Sequence, residues 1–502
     1  MKILLFTVMF ALTLQSCSNK NEKQPNKAQP NIIWLMAEDI SLDLECYGME
    51  AVKTPNLNSL AQKGMMFKDC FVTNPICSPS RSAMMTGTYQ VKINAHNHRS
   101  NRDVPLSEPY KPFTYWLRKA GYTCILGNHG VMGKGRKIDC NFETQPIGKW
   151  DGEKNFGLFD KYDEFLPEDQ PFFAQIQLLA THRGDWWNKV RAESKHPVDP
   201  QKVVLPPQYA DTPAIRLDWA KYLDQMEYID NEVGMIEKEL KDKGMADNTI
   251  IIFIGDNGRC NLLGKGYLHD PGLRIPLILY QPKDAVVFKN KQIVNDVINS
   301  TDITATILDI AGCKVPDYMT GKSFLNKKFD RKESYGARDL WDEIEEKSRS
   351  VYTKRWAYIH NDKPEIPYDA HQAYLEFYRP AVHVMRTLNK EGKLNDNQKF
   401  FFASTKPKEE LYDLQNDPFE MKNLASYTKY EDVLKDLREK TMAHDKAMRP
   451  VSDVYHPEHP ISVDVIKFVK EKYPKAYQQI CEGVEIGFKK YTKLYKQQLK
   501  KE

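Results

Sequence analysis

Two adjacent polar pairs, Glu38-Asp39 and Asp256-Asn257, each close a run of apolar residues. Asn31-Ile32-Ile33-Trp34-Leu35-Met36-Ala37 and the β-branched run from Asn248 to Ile254 are continuous rather than alternating. Strands buried on both faces of a parallel sheet read this way. Ligand sites in open α/β sheets lie beyond the carboxyl ends of such strands. Oxygen-bearing side chains converging there would suit a hard cation, Ca2+ or, less well, Mg2+. Asp-Asn-Gly after a strand is also an ordinary turn sequence, so each pair gains weight only from the other residues around it.

The run Cys77-Ser78-Pro79-Ser80-Arg81 adds a possible nucleophile and a cation. A helix beginning after the proline would place Cys77 and Arg81 on one face, with the positive helix N-terminus near an anion. His182 follows an expected strand, Pro171 to Leu179, and an imidazole suits proton transfer near neutral pH. In His96-Asn97-His98-Arg99 the two histidines stand at i and i+2 and cannot share a helix face. The cluster therefore reads as substrate-pocket lining through His96 and His98 rather than as a metal site. Arg338-Asp339 could reach the same pocket.

The spacing predicts helices from Thr54 to Gly64, Thr114 to Ala120, Thr212 to Lys243 and Asp302 to Ala311. Thr212 suits the N-cap of the long helix and Pro213 its first turn. Further strands are predicted at Tyr122 to Leu126 and Ile275 to Leu279. Alternation of strand and helix to about residue 330 predicts an α/β sandwich with a large mixed, mostly parallel sheet between helices. Short antiparallel strands at 350–352, 356–359 and 410–414 predict a smaller C-terminal α+β subdomain. The expected organisation is 31–330 as the catalytic domain, 331–462 as the subdomain and 463–502 as a Lys-rich helical segment with a solvated basic face.

The chain has 502 residues, 41% hydrophobic and 28% charged, with a formal net charge of +4. That describes a globular protein and argues against a nucleic-acid partner, while allowing a local basic pocket for an anion. Residues 1–17 read as an export signal: Lys2, an apolar stretch from Ile3 to Leu14 too short to span a bilayer, then Leu14-Gln15-Ser16-Cys17. That ending resembles a bacterial lipobox. It implies lipidation of Cys17 and a protein held at the bacterial cell envelope by its anchor, with residues 18–30 as a flexible tether. Nine cysteines are present, dispersed and without a C-x-x-C pair, which argues against a disulfide framework or a zinc site.

Taken in order, several blocks resemble the type I sulfatases of the alkaline-phosphatase-like superfamily. They are Pro30 to Asp39, Cys46-Tyr47-Gly48, Thr54-Pro55-Asn56-Leu57, Cys77 to Gly87, Phe253 to Gly258, Lys265, Arg274-Ile275-Pro276, Asp302 to Leu308 and Leu411 to Leu424. The resemblance spans about residues 30 to 425. It implies that a maturase oxidises Cys77 to formylglycine, whose hydrated geminal diol attacks sulfur; the covalent hemisulfate then expels sulfate as the second hydroxyl collapses to the aldehyde. It also implies Ca2+ held by Glu38, Asp39, Asp256, Asn257 and the modified residue 77. Arg81 is implied as a catalytic residue, Lys265 as a sulfate contact, and His182 as the group that protonates the leaving oxygen. Most members have Asp where Glu38 stands. They also have Gly-Lys-x-His where this chain reads Lys137-Ile138-Asp139. Lys137 is preferred as the family lysine and Asp139 takes the histidine's place, with Lys134 and His129 as alternatives. Glu38-Asp39-Ile40-Ser41, Ala95 to Ser100 and Arg338-Asp339 resemble the sulfamidase-like branch, whose members act on N-sulfoglucosamine. The expected activity is hydrolysis of sulfate from a sulfated glycan such as a glycosaminoglycan. A phosphonate or phosphodiester hydrolase of the same superfamily and a non-catalytic glycan-binding lipoprotein are the alternatives.

Overall fold

A computed structural model describes residues 29–127, 137–144, 148–150, 154–283 and 293–501. Cys17, the export signal, nearly all of the tether, and His129 and Lys134 lie outside the described residues.

The strands in chain order are β1 (Asn31–Ala37), β2 (Met65–Phe71), β3 (Thr123–Leu126), β4 (Gly148–Trp150), β5 (Lys154–Phe156), β6 (Phe172–Leu178), β7 (Thr249–Gly255), β8 (Leu277–Tyr280), β9 (Ile293–Asn299), β10 (Ser334–Trp341), β11 (Ile344–Tyr352), β12 (Trp356–Asn361) and β13 (Glu409–Asp413). Seven of them form one sheet in the order β3-β6-β1-β7-β8-β2-β9. Only β8 runs against its neighbours there, pairing antiparallel with both β7 and β2. A separate antiparallel sheet has the order β10-β11-β12-β13.

The helices used below are α1 (Pro55–Lys63), α2 (Cys77–Thr86), α3 (Phe113–Lys119), α4 (Trp186–Glu193), α5 (Pro213–Asp242), α6 (Asp270–Leu273), α7 (Ser300–Ile310), α8 (Ala373–Tyr378), α9 (Pro380–Lys390), α10 (Asp396–Lys399), α11 (Glu431–Ala447), α12 (Ile461–Lys472), α13 (Pro474–Cys481) and α14 (Phe488–Leu499). Thr212 caps α5 by accepting from Ile215 N at 3.3 Å. The continuous apolar composition of β1 follows from two cores. Ile33, Leu35 and Ala37 face one that includes α1 and α5, while Ile32, Trp34 and Met36 face the other, which includes α3 and α7.

The sandwich with its smaller antiparallel sheet is the fold class the sequence predicts. Several elements differ in detail. The strands β2 and β9 escape the pattern because charged residues interrupt them: Lys68 and Asp69 in one, Asp296 in the other. Helix α2 begins at Cys77 itself, so Pro79 sits inside its first turn, where a missing N–H costs nothing. The Lys-rich end folds as α12, α13 and α14, which bury Val465, Phe468, Val469, Ile480 and Tyr491 against Phe377 and Tyr378 of α8. Lys467, Lys470, Lys493 and Lys496 stay exposed. No described helix is long and apolar enough to cross a membrane.

Candidate active site

The parallel register of β1 and β7 sets Ala37 opposite Gly255, so both polar pairs leave the sheet side by side. Backbone bonds extend the ladder past the strands: Asp256 N donates to Ala37 O at 3.0 Å, and Ile40 N to Asn257 O at 3.0 Å. Asp39 N also donates to Asp256 Oδ1 at 3.0 Å. Asp39 holds φ at 45°, a left-handed conformation that Asp adopts more readily than most residues, fixed here by those bonds. Gly258 is required just beyond, because a Cβ there would lie 2.0 Å from Pro271 O.

Helix α2 is buried along its whole length and turns its N-terminal end to this cluster. Ser80 Oγ donates to Asp256 O at 2.5 Å. Arg81 Nη2 reaches Asp256 Oδ2 at 2.9 Å and Glu38 Oε1 at 3.1 Å, and its Nη1 reaches Gln177 Oε1 at 2.8 Å. The guanidinium thus ties the two acidic pairs together. Cys77, 2% exposed, begins the same helix. Lys265 Nζ lies 2.9 Å from its Sγ and 2.7 Å from Asp39 Oδ1. Lys137 Nζ lies 2.5 Å from Glu38 Oε2. His182 Nε2 stands 4.0 Å from Glu38 Oε2, while its Nδ1 is 3.1 Å from Arg183 O. That carbonyl fixes the proton on Nδ1 and leaves Nε2 facing the cluster.

Burial pushes the Cys77 thiol up to about 12 despite Lys265 and Lys137, so an unmodified cysteine here stays protonated at neutral pH. Burial also opposes charge on Glu38 and Asp39. Lys137 and Arg81 nevertheless hold Glu38 below its ordinary value, and Lys265 brings Asp39 to about 2. Burial lowers His182 to about 4. The resting imidazole is therefore neutral.

A hard divalent cation fits the donor set. Asp39 Oδ2 and Asn257 Oδ1 are buried with no hydrogen-bond partner. Glu38 and Asp256 add carboxylate oxygens beside them, bridged by Arg81. Buried oxygens without partners cost free energy unless an ion or water satisfies them.

The other expected pocket residues divide. Asp139 reaches the cluster edge, 3.4 Å from Lys137 Nζ and bonded to Arg102. His98 Nδ1 pairs with Asp342 Oδ1 at 2.8 Å. His96 instead sits among Asp339, Arg349 and Asp445, and Arg338 pairs with Glu346 Oε2 at 2.6 Å under Trp341 and Tyr267. Neither shows a bond to Cys77 among the described residues: Arg338 is a β10 side chain tied to β11, and His96 is surrounded by charges of the second sheet and α11. Two residues without an assigned role do line the site. Gln177 supports Arg81, and its signal was a glutamine inside the buried strand Phe172–Leu178. Tyr374 lies under Lys265, 5.9 Å from Nζ to its ring, and 6.2 Å from the His182 ring. Nothing in its local sequence points there.

A mixed α/β sandwich with an acid cluster at the β1/β7 edge and a cysteine opening a buried helix describes a class of hydrolases for anionic esters. A family model described as Sulfatase matches residues 30–313. An ulvan-active sulfatase of Formosa agariphila is 30% identical, over 90% of this chain and 83% of its own. The human N-sulphoglucosamine sulphohydrolase is 25% identical, over 82% of this chain and 89% of its own. A solved structure holding its substrate D-glucosamine-2-N,6-O-disulfate superposes with a TM-score of 0.54 at 18% identity, covering 84% of this chain and 98% of its own. The chain belongs to the sulfatase family and is a sulfuric ester hydrolase.

Proposed function

We propose that this chain removes sulfate from a sulfated saccharide, with residue 77 as the nucleophile after conversion of Cys77 to formylglycine by a maturase. The observation supporting this reading is the meeting of Cys77, Lys265, Asp39 and the Arg81-bridged acids at one buried point. A formylglycine would supply an oxygen nucleophile, which a thiol held protonated by burial does not. Glu38, Asp39, Asp256 and Asn257 would hold Ca2+, whose charge would offset that of the sulfuryl oxygens. Lys265, beside Cys77, and Lys137, beside Glu38, would offer two ammonium groups to those oxygens. His182 presents Nε2 to the leaving oxygen. An arriving anion raises the imidazole's proton affinity, so the group can gain a proton on binding and deliver it as the bond breaks.

The glycan-active relatives favour a sulfated glycan over the phosphonate or phosphodiester alternative. They also include an N-sulfate hydrolase, so N-sulfoglucosamine stays among the candidate substrates beside O-sulfate esters. The lipobox-like Leu14 to Cys17 supports export and anchoring at the cell envelope. A panel of defined sulfated saccharides and one aryl phosphonate tests the reading. Sulfate release from at least one saccharide is expected. Turnover of the phosphonate alone would overturn it, and so would sulfate release that persists in Cys77→Ala.

A further inference from the structure

Arg99 lies in the loop between α2 and α3 with φ at 49°, a left-handed conformation that its surroundings must impose. Both sides of its backbone are fastened. Its N donates to Ser78 Oγ at 3.1 Å, on the residue after Cys77, and its carbonyl accepts from Glu458 N at 2.8 Å. The neighbours are held as well, His98 N by Leu340 O at 3.1 Å and Asn101 N by His456 O at 3.0 Å. A loop fastened by chain segments some 240 and 350 residues away holds one arginine beside the nucleophile.

The side chain is partly buried, and the carboxylates that act on its charge are Asp139, Asp342 and Glu458. All three are committed elsewhere. Asp139 binds Arg102 and Lys137, Asp342 accepts from His98 at 2.8 Å and from Gln372 Nε2 at 2.5 Å, and Glu458 pairs with Arg102 at 3.1 Å. Among the described residues the Arg99 guanidinium has no ion-pair or hydrogen-bond partner. Its nitrogens are not among the fully buried polar atoms, so this unpaired guanidinium is open to an anion that a ligand brings. The scissile group already has Lys265 and Lys137. A planar guanidinium fork fits a carboxylate or sulfate through two parallel bonds.

We propose that Arg99 receives a second anionic group of the saccharide, a uronate carboxylate or a further sulfate, and so selects doubly charged substrates. The proposal rests on the sulfatase reading above. Wild type, Arg99→Lys and Arg99→Ala are compared on an aryl sulfate, a disulfated glucosamine and a sulfated disaccharide with one uronate. Arg99→Ala is expected to lower kcat/KM for a doubly charged saccharide about 10- to 100-fold relative to the aryl sulfate, with Arg99→Lys between. The saccharide that suffers this drop identifies the anion as carboxylate or sulfate. Equal losses on all three substrates, or an unchanged ratio, would overturn the proposal. Calorimetric binding to Cys77→Ser protein repeats the comparison without turnover. A wild type that hydrolyses nothing defeats the functional reading, whereas the binding ratio still decides the role of Arg99.

Discussion

Lys265 Nζ touches Cys77 Sγ at 2.9 Å while keeping Asp39 Oδ1 at 2.7 Å, so one ammonium joins Cys77 to the acid cluster. Burial works against its charge, yet Asp39 holds the lysine well above its ordinary value. Lys265→Met removes a preorganised cation from a dry site. It is expected to lower kcat about 10²- to 10³-fold, a loss read in steady-state kinetics. Thermal stability should fall as well, since Asp39 then keeps its charge with fewer partners.

Cys77→Ala is expected to abolish turnover while the protein stays folded, because the small, buried thiol contributes little beyond its packing. Circular dichroism and sulfate release check the two halves. In protein matured in a competent host, mass spectrometry of the peptide spanning Cys77 to Arg81 should show CH2SH replaced by CHO.

His182→Gln is expected to cost about 10²- to 10⁴-fold on a saccharide, whose alkoxide needs a proton as it leaves. A nitrophenyl sulfate, whose phenolate leaves without help, should lose far less. A ratio of losses near one between the two substrates would remove the leaving-group role.

Chelation of hard cations is expected to abolish activity and lower the melting temperature. Asp39 Oδ2 and Asn257 Oδ1 then have no partner, and Glu38, Asp39 and Asp256 repel one another. Ca2+ should restore both properties better than Mg2+ does, because the larger ion tolerates an irregular oxygen set.

His444 of α11 stacks on Tyr335 at 4.0 Å and meets Tyr89 edge-on at 4.5 Å. Burial lowers its pKa from 6.5 to about 4. The folded state therefore binds this proton less tightly than the unfolded chain. The stability from a neutral His444 is complete above about pH 6.5 and is lost as pH falls toward 4, by at most about 3 kcal/mol. His444→Phe keeps the stacking without the titration. Its melting temperature should drop less than that of wild type between pH 7 and pH 5.

The sequence made β1, β7 and α5 readable because each buries a long patterned face, and the acid pairs stood out at the ends of those two strands. Cys77, Lys265 and Asp39 meet at one buried point, although they are far apart in sequence. The partners of charged residues were less readable. Nothing local distinguishes Arg338, which pairs across its own hairpin with Glu346, from Arg99, whose guanidinium has no partner among the described residues. The start of α2 at Cys77 was equally hidden, because a proline fits anywhere in a first turn. Such choices are made by elements hundreds of residues apart.

Arg81 clasps Glu38 and Asp256, which stand at the tips of β1 and β7, two strands joined along seven paired positions. Zipping those strands to the end crowds acids together, a step opposed by their repulsion until the guanidinium arrives with α2. The helix in turn carries a buried arginine whose charge is unmet until the strands are zipped. Neither piece can open alone without stranding charge in the interior. The amides of β1, β7 and α2 should therefore exchange with deuterium as one slow group, at a rate set by a shared opening event rather than by each element's own fraying.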